Sequence, residues 1–325
     1  MSSGSTTKVF PVRDYDLAAT LTSGQAFRWH CQEHNWVGVI GTHWVRLRSD
    51  AFSIVGETAE PVSDWTWLTD YLQINLDLSQ VVQTFPEDAP MRAALAACRG
   101  LRLLRQDPWE CLASFILSST KRIVQIKQII SLLCERYGDP LGVAPGQAPA
   151  YSFPSPARLA RATEAELRVC KMGFRAPYLL ATASTIAGGQ FDLIRLRELS
   201  VEIARAELMK LPGVGRKIAD CVLLFAYGFP AAFPMDVWVL KALRQLYFPR
   251  RRVSLRRLQR FAAVQFGPHA GYAQQYLFHY IRTQAAGRRQ DTGNRKQFAG
   301  GALTLNRNPN RSLNRKLNPP RATHP

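Results

Sequence analysis

The sequence predicts an α+β protein: an N-terminal antiparallel β-sheet domain over residues 1–100, a larger helical domain over 101–285 and a disordered basic tail over 286–325. Three observations carry this. Residues 35–56 are rich in Val, Ile, Trp and Thr and partly alternate, in Trp36-Val37-Gly38-Val39-Ile40 and in Trp44-Val45-Arg46-Leu47, which is the period-two pattern of half-buried strands. After Leu101 the apolar residues recur with a helical period between repeated start and stop signals. Beyond Ala286 that periodicity ends, and Asn, Arg, Gly and Pro dominate, a composition that cannot bury a core.

Taken in order, Gly41-Thr42 interrupts the strand-like text and reads as a tight turn. Asp107-Pro108 is an N-cap followed by a first helical residue, and Gly138 follows the last turn of the next helix. Thr163 and Glu166 have capping-box spacing, and Ser254 caps a basic helix closed by Gly267. Short helices joined by short loops suit an orthogonal bundle.

At 325 residues the chain exceeds the size at which one core usually stops growing. Its 42 Lys and Arg against 24 Asp and Glu give a net charge of +18, which favours a polyanionic partner, nucleic acid ahead of an acidic membrane. The cysteines (Cys31, Cys98, Cys111, Cys134, Cys170, Cys221) form no CxxC pair and read as reduced thiols; the polar N-terminus has no secretory apolar region. The best candidate span, Cys221 to Phe233, is short and broken by Gly228 and Pro230. The expected setting is therefore cytoplasmic or nucleoid-associated in a bacterium and nuclear in a eukaryote, not secreted and not in a membrane, with the chain a monomer. The histidines show no HExxH spacing, so neither metal nor cofactor is expected. The arginines at 250, 251, 252, 256, 257 and 260 read equally as a solvated helix face or as a DNA surface.

The most informative element lies further on. Glu202 to Lys210 reads as a helix, Leu211-Pro212-Gly213-Val214-Gly215 as a tight turn, and Arg216 to Ala226 as a second helix with Ile218, Ala219, Val222 and Phe225 on its apolar face. This is a helix-hairpin-helix. Gly213 and Gly215 permit positive φ and leave no side chain between the turn's N–H groups and an approaching phosphate, so the turn grips DNA backbone without reading sequence. Lys217 follows in the first turn of the second helix, and Phe233-Pro234-Met235-Asp236-Val237-Trp238 delivers an Asp to the start of another helix. Alone, Lys217 is an ordinary surface charge and Asp236 an ordinary N-cap; around one hairpin they form a pair.

From Leu211 to Asp236 the chain resembles the helix-hairpin-helix DNA glycosylases, and from about Val9 to Gln284 it is similar to the eukaryotic-type 8-oxoguanine glycosylase/lyase branch. The branch with an iron–sulfur cluster is excluded, because no cysteine follows Cys221. The resemblance implies that Lys217 is the nucleophile and Asp236 its acidic partner. An amine attacks only when neutral, and the positive end of a helix with partial burial favours that form; a fixed carboxylate stabilises the positive charge that develops on the sugar. A lysine here further implies Schiff-base formation and strand nicking by β-elimination.

The same resemblance assigns a base pocket. Ser23-Gly24-Gln25-Ala26-Phe27-Arg28-Trp29 is similar to the segment in which a glycine carbonyl, here Gly24, accepts the N7–H that 8-oxoguanine has and guanine lacks. Cys221 and Phe278 match the residues that sandwich the flipped base, and Gln274 the one that bonds its Watson–Crick edge. By themselves Tyr276 and Phe278 read as core aromatics. Gly173-Phe174-Arg175-Ala176-Pro177-Tyr178 resembles the segment that wedges an aromatic, Phe174, into the stack and turns an arginine, Arg175, to the orphaned cytosine. Asp107-Pro108-Trp109-Glu110 and Phe115-Ile116-Leu117-Ser118-Ser119 look like the helix leading to the DNA-facing loop. Three positions depart from the pattern: Thr120 stands for a common asparagine, Gln125 for a further arginine and Trp238 for a frequent histidine. The implied partner is double-stranded DNA containing an oxidised purine. The competing readings are a monofunctional alkylpurine glycosylase, using Asp236 and water, and a non-catalytic hairpin module that only grips phosphates.

Overall fold

Residues 35–58 fold as a meander whose first turn is Gly41-Thr42, with Gly41 at φ +58° and Ile40 paired to His43 across it. The computed structural model describes residues 5–301, and side chains over 5–286. One antiparallel sheet contains β1 (Thr6–Pro11), β2 (His30–Gln32), β3 (Asn35–Ile40), β4 (His43–Ser49) and β5 (Ser53–Thr58), in the order β1-β5-β4-β3-β2. The alternation predicted the central three strands. β1 and β2 were not anticipated: β2 has three exposed residues, and β1 pairs along its whole length with β5, setting Val9 opposite Val55.

The helices are α1 (Leu17–Thr22), α2 (Thr66–Leu72), α3 (Leu78–Val82), α4 (Ala89–Ala97), α5 (Pro108–Leu117), α6 (Ile123–Tyr137), α7 (Pro156–Leu159) and α8 (Glu164–Val169), then α9 (Ala176–Ala187), α10 (Val201–Leu208), α11 (Arg216–Val222), α12 (Val237–Leu246), α13 (Leu255–Gln265) and α14 (Ala270–Gly301). A two-residue ribbon pairs Pro140–Leu141 with Ala150–Tyr151. The caps are where the sequence puts them. Asp107 accepts from the Glu110 N–H, Thr163 and Glu166 cap each other, and Ser254 accepts from the Arg257 N–H; each such cap satisfies N–H groups that a helix start leaves unpaired.

Met1–Arg282 packs as one compact unit and Thr283–Pro325 is a second. Of the basic tail expected from residue 286, residues 302–325 lie outside the described residues, and the backbone of α14 continues to Gly301. Among the described residues no helix is long and apolar enough to cross a membrane. The sheet carries one core, in which Trp29 lies so close over Gly38 that a Cβ there would come within 2.5 Å of the indole. The helices carry the other, which also takes in Phe27 from the turn after α1.

Gln25 joins the two regions. It is fully buried, and its amide nitrogen donates to the carbonyls of Thr20 (2.9 Å) and Arg102 (2.8 Å). Its side-chain oxygen accepts from the Leu104 N–H at 2.8 Å, and its backbone carbonyl accepts from the Gln106 amide at 2.7 Å. The turn containing Gly24 is thereby bolted to the strand-like segment that leads into α5. Replacing Gln25 by Leu leaves the Leu104 N–H and the Arg102 carbonyl without these partners, and an unsatisfied buried group costs about 1–3 kcal/mol. Urea unfolding of Gln25→Leu is therefore expected to show a loss of about 3 kcal/mol or more.

Candidate active site

The hairpin is α10, the turn 211–215 and α11, and its ends differ slightly from the periodicity. The second helix stops at Val222 and widens into a π-helical turn, Leu223–Tyr227, because Gly228 at φ +75° sends its N–H back to the Leu223 carbonyl. Gly213 has φ +77°, and a Cβ on it would lie 2.7 Å from Tyr178 Cβ, so only glycine fits. Gly215 is not in the left-handed region: it is the extended N-cap of α11, at φ −93°, ψ 174°. A Cβ there would meet nothing within 4 Å, so its bareness serves whatever approaches from outside. No side chain caps α11. Leu211 and Val214 are buried and anchor the turn, while Gly213 and Gly215 are exposed. An ion pair between Arg205 and the buried Asp220, at 2.5 Å, locks α10 to α11.

Beside the hairpin lies a cavity of about 810 Å³. It is walled by Gly24, by Phe115 and Ser118 at the end of α5, by Lys217 and Cys221 on α11, by Asp236 and Trp238 at the start of α12, and by Gln274, Phe278 and Arg282 on α14. Lys217 Nζ stands 4.9 Å from the centroid of Phe115 and donates to Ser118 Oγ at 3.4 Å. Phe115 in turn stacks on Phe225, centroids 5.7 Å apart, which keeps the floor under the amine apolar.

Asp236 caps α12, its Oδ1 accepting from the N–H groups of Trp238 (2.9 Å) and Val239 (2.8 Å). Burial raises its pKa above the ordinary carboxylate value, against the opposing pull of the Val239 N–H, of Lys217, of the Trp238 N–H and of Arg282. Both catalytic candidates thus open onto one cavity. Cys221 is 3% exposed, and burial pushes its thiol up to about 12, Lys217 countering in part. Gln274, also 3% exposed, presents an Oε1 with no hydrogen-bond partner among the described residues, whereas the neighbouring Gln275 amide is committed to the Ser23 carbonyl at 3.0 Å. Gly24 has φ +82° and sits against Ile123, Arg282 and Phe278.

Of the remaining candidates, Thr120 and Trp238 border the cavity, and Phe174, Arg175 and Gln125 lie outside its lining. Thr120 lines the cavity in the left-handed region at φ +56°. Arg175 is 2% exposed and donates to the Ser119 carbonyl and to Thr120 Oγ1, with Phe174 half exposed beside it and the Arg175 Cζ 4.1 Å from that ring's centroid. Gln125 does not reach the cavity; its Oε1 accepts the Arg122 N–H at 3.0 Å and caps α6. Trp238 borders the cavity with Lys241 Nζ 5.1 Å from its ring. Sequence reasoning missed Ser118 and Phe115 as walls, and Arg282 altogether. The one signal for Arg282 was its i, i+4 relation to Phe278 on a helix. Among the described residues no group of three or more His, Cys, Asp or Glu is arranged to hold a metal.

Residues 9–112 match the N-terminal domain of 8-oxoguanine DNA glycosylase, and residues 113–264 match the HhH-GPD superfamily of base excision DNA repair proteins. The N-glycosylase/DNA lyase OGG1 of Arabidopsis thaliana is 33% identical over 298 residues, covering 84% of this chain and 80% of the relative. A probable N-glycosylase/DNA lyase of Methanothermobacter thermautotrophicus is 31% identical, covering 84% and 95%. Among solved structures, that of MBOgg1 with a low-affinity DNA ligand superposes with a TM-score of 0.81 at 34% identity, covering 86% of this chain and 96% of the other. The Clostridium acetobutylicum 8-oxoguanine glycosylase/lyase, solved with double-stranded DNA containing cytosine opposite 8-oxoG, gives a TM-score of 0.79 at 31% identity, covering 88% and 100%. Sheet, hairpin, cavity and relatives agree, and the chain belongs to the 8-oxoguanine N-glycosylase/DNA lyase family.

Proposed function

We propose that this protein flips 8-oxoguanine out of duplex DNA, excises it with Lys217 as nucleophile and Asp236 as its electrostatic partner, and nicks the strand at the resulting site. The observation that carries the reading is that Lys217 and Asp236 open onto the same cavity as Gly24, Cys221, Gln274 and Phe278. The base enters between the thiol of Cys221 and the ring of Phe278. Gln274 Oε1 accepts from its Watson–Crick edge, and the Gly24 carbonyl takes the N7–H.

The Lys217 lone pair then forms a bond to C1′ as the C1′–N9 bond breaks; the electrons leave with the base, which takes up a proton. The positive charge that builds on the sugar is stabilised by the Asp236 carboxylate, which the α12 N-terminus holds in place. Ring opening gives an imine between Lys217 and C1′. Loss of a C2′ proton expels the 3′ phosphate and cuts the strand.

Gly215 and the uncapped start of α11 form a phosphate grip. On the opposite strand Arg175 has to release the Ser119 and Thr120 contacts before it reaches a cytosine, and Gln125 is committed to its own helix. Contact with the opposite base is therefore weak. A water-using alkylpurine enzyme would have no use for an amine over Phe115, and a purely structural hairpin no use for the carboxylate.

Three outcomes test this reading. Borohydride should trap wild type covalently on a duplex bearing one 8-oxoguanine, and Lys217→Gln should give no adduct; base release by wild type without any adduct would favour the water-using alternative. Asp236→Asn should slow excision by about 10²–10³-fold. Because the folded-state pKa of Asp236 is raised, the carboxyl contributes stability only while protonated, and that contribution is lost as pH rises through the folded value. The Asn variant should therefore melt higher than wild type at neutral pH, with the gap closing on acidification, and the acid limb of wild-type excision should lie above the usual Asp value near ~4. Thirdly, a β-branched residue at φ +56° is strained by about 1 kcal/mol, which asparagine tolerates better. Thr120→Asn should raise stability by up to about 1 kcal/mol and sharpen the preference for cytosine opposite the lesion, read from excision rates with each opposing base.

A further inference from the structure

The cavity contains two buried polar atoms without partners, and they are of opposite kind. Gln274 Oε1 is an acceptor and Arg282 Nη1 is a donor; neither bonds the other or any other group among the described residues. Leaving a buried donor unpaired is unfavourable, and a guanidinium cannot shed its charge to escape that cost. A ligand that relieves both atoms must present a donor at one edge and an acceptor at another.

Arg282 is placed to meet the second requirement. It lies one helical turn beyond Phe278 on α14, with its Cζ 5.0 Å from the centroid of the Phe278 ring. Its Nη1 is 3.1 Å from the point where a Cβ on Gly24 would stand. The donor thus lies beside the glycine whose carbonyl is assigned to N7–H, and in 8-oxoguanine the two exocyclic oxygens, O6 and O8, flank N7. In guanine the position beside O6 is an acceptor and C8 bears only hydrogen. Alkylated adenines present an amine where O6 would be, which would meet the guanidinium donor to donor.

We propose that Arg282 is a specificity-determining residue, donating from Nη1 to a carbonyl oxygen adjacent to N7 of the flipped base. With Gly24 it forms an acceptor–donor pair that reads N7–H and the neighbouring oxygen together. This rests on the oxidised-purine reading of the cavity and adds to it a residue that no motif singled out.

The test compares wild type, Arg282→Met and Arg282→Lys under single-turnover conditions on three duplexes: 8-oxoguanine, 8-oxoadenine and a preformed abasic site. Methionine keeps length and removes the donor. A hydrogen bond from a charged donor is worth a factor of about 10–100 in rate, so Arg282→Met should lose that much on 8-oxoguanine while losing far less on the abasic site, which has no base to read. Lysine should recover part of the loss. An equal loss on 8-oxoadenine assigns the bond to O8; a narrowed gap between the two bases in the Met variant assigns it to O6. Unchanged excision of 8-oxoguanine by Arg282→Met overturns the proposal, as does an equal loss on the abasic duplex, which would mean that Arg282 serves Lys217 or Asp236 instead. If wild type nicks the abasic duplex but excises neither base, the oxidised-purine reading fails, and the proposal with it.

Discussion

The geometry of the cavity depends on where the turn after α1 is held, and Gln25 holds it. Its amide and carbonyl close four hydrogen bonds to Thr20, Arg102, Leu104 and Gln106 with no water-accessible surface of its own. Hydrogen bonds of this kind are modest in net energy but directional, so they set a position more than they add stability. Gly24 is adjacent in the chain and Phe27 shortly follows, packing edge-on against Phe115. Phe115 in turn lies beneath Lys217. A single buried amide therefore propagates into the placement of the amine, the Gly24 turn and the aromatic floor.

The charged groups follow a second constraint, that of being half-buried without being paired to each other. Asp236 spends one oxygen on the start of α12, and Lys217 makes only a long contact to a hydroxyl. A tight ion pair between them would satisfy both and leave neither available to a sugar. Asp220, by contrast, is committed to Arg205, with Arg216 at 3.8 Å from its other oxygen, and serves to fix the hairpin. Two aspartates placed close together along the chain thus have opposite uses, distinguished by what they bond.

The parts of this architecture that were legible in the sequence are those with local causes. Asp107, Thr163, Ser254 and Asp236 announce helix starts because an N-cap needs only the residues beside it, and the meander of β3 to β5 follows from alternation and the Gly41 turn. Lys217 and Asp236 were singled out because both follow one recognisable turn, and they line one cavity. What escaped was long-range: β1, whose partner is β5; Gln25, three of whose partners lie beyond residue 100; and Arg282, which comes beside Gly24 only when α14 meets that turn. Gly215 was misread in conformation, because a glycine can be required by an absent neighbour as well as by its own φ. Gln125, which stands where the family pattern has an arginine, turns its side chain back to cap α6.

The burial of Cys221 has a bearing on endurance. Peroxides attack thiolates, and a thiol held near about 12 is almost never one at neutral pH. A repair enzyme of this kind is needed most when oxidants are abundant, and a reactive cysteine in its pocket would be consumed under the same conditions that create its substrate. In the proposed pose the buried sulfur would offer a polarisable surface for a purine to lie against with little thiolate to be oxidised. The pocket is thereby shielded from the stress it exists to answer.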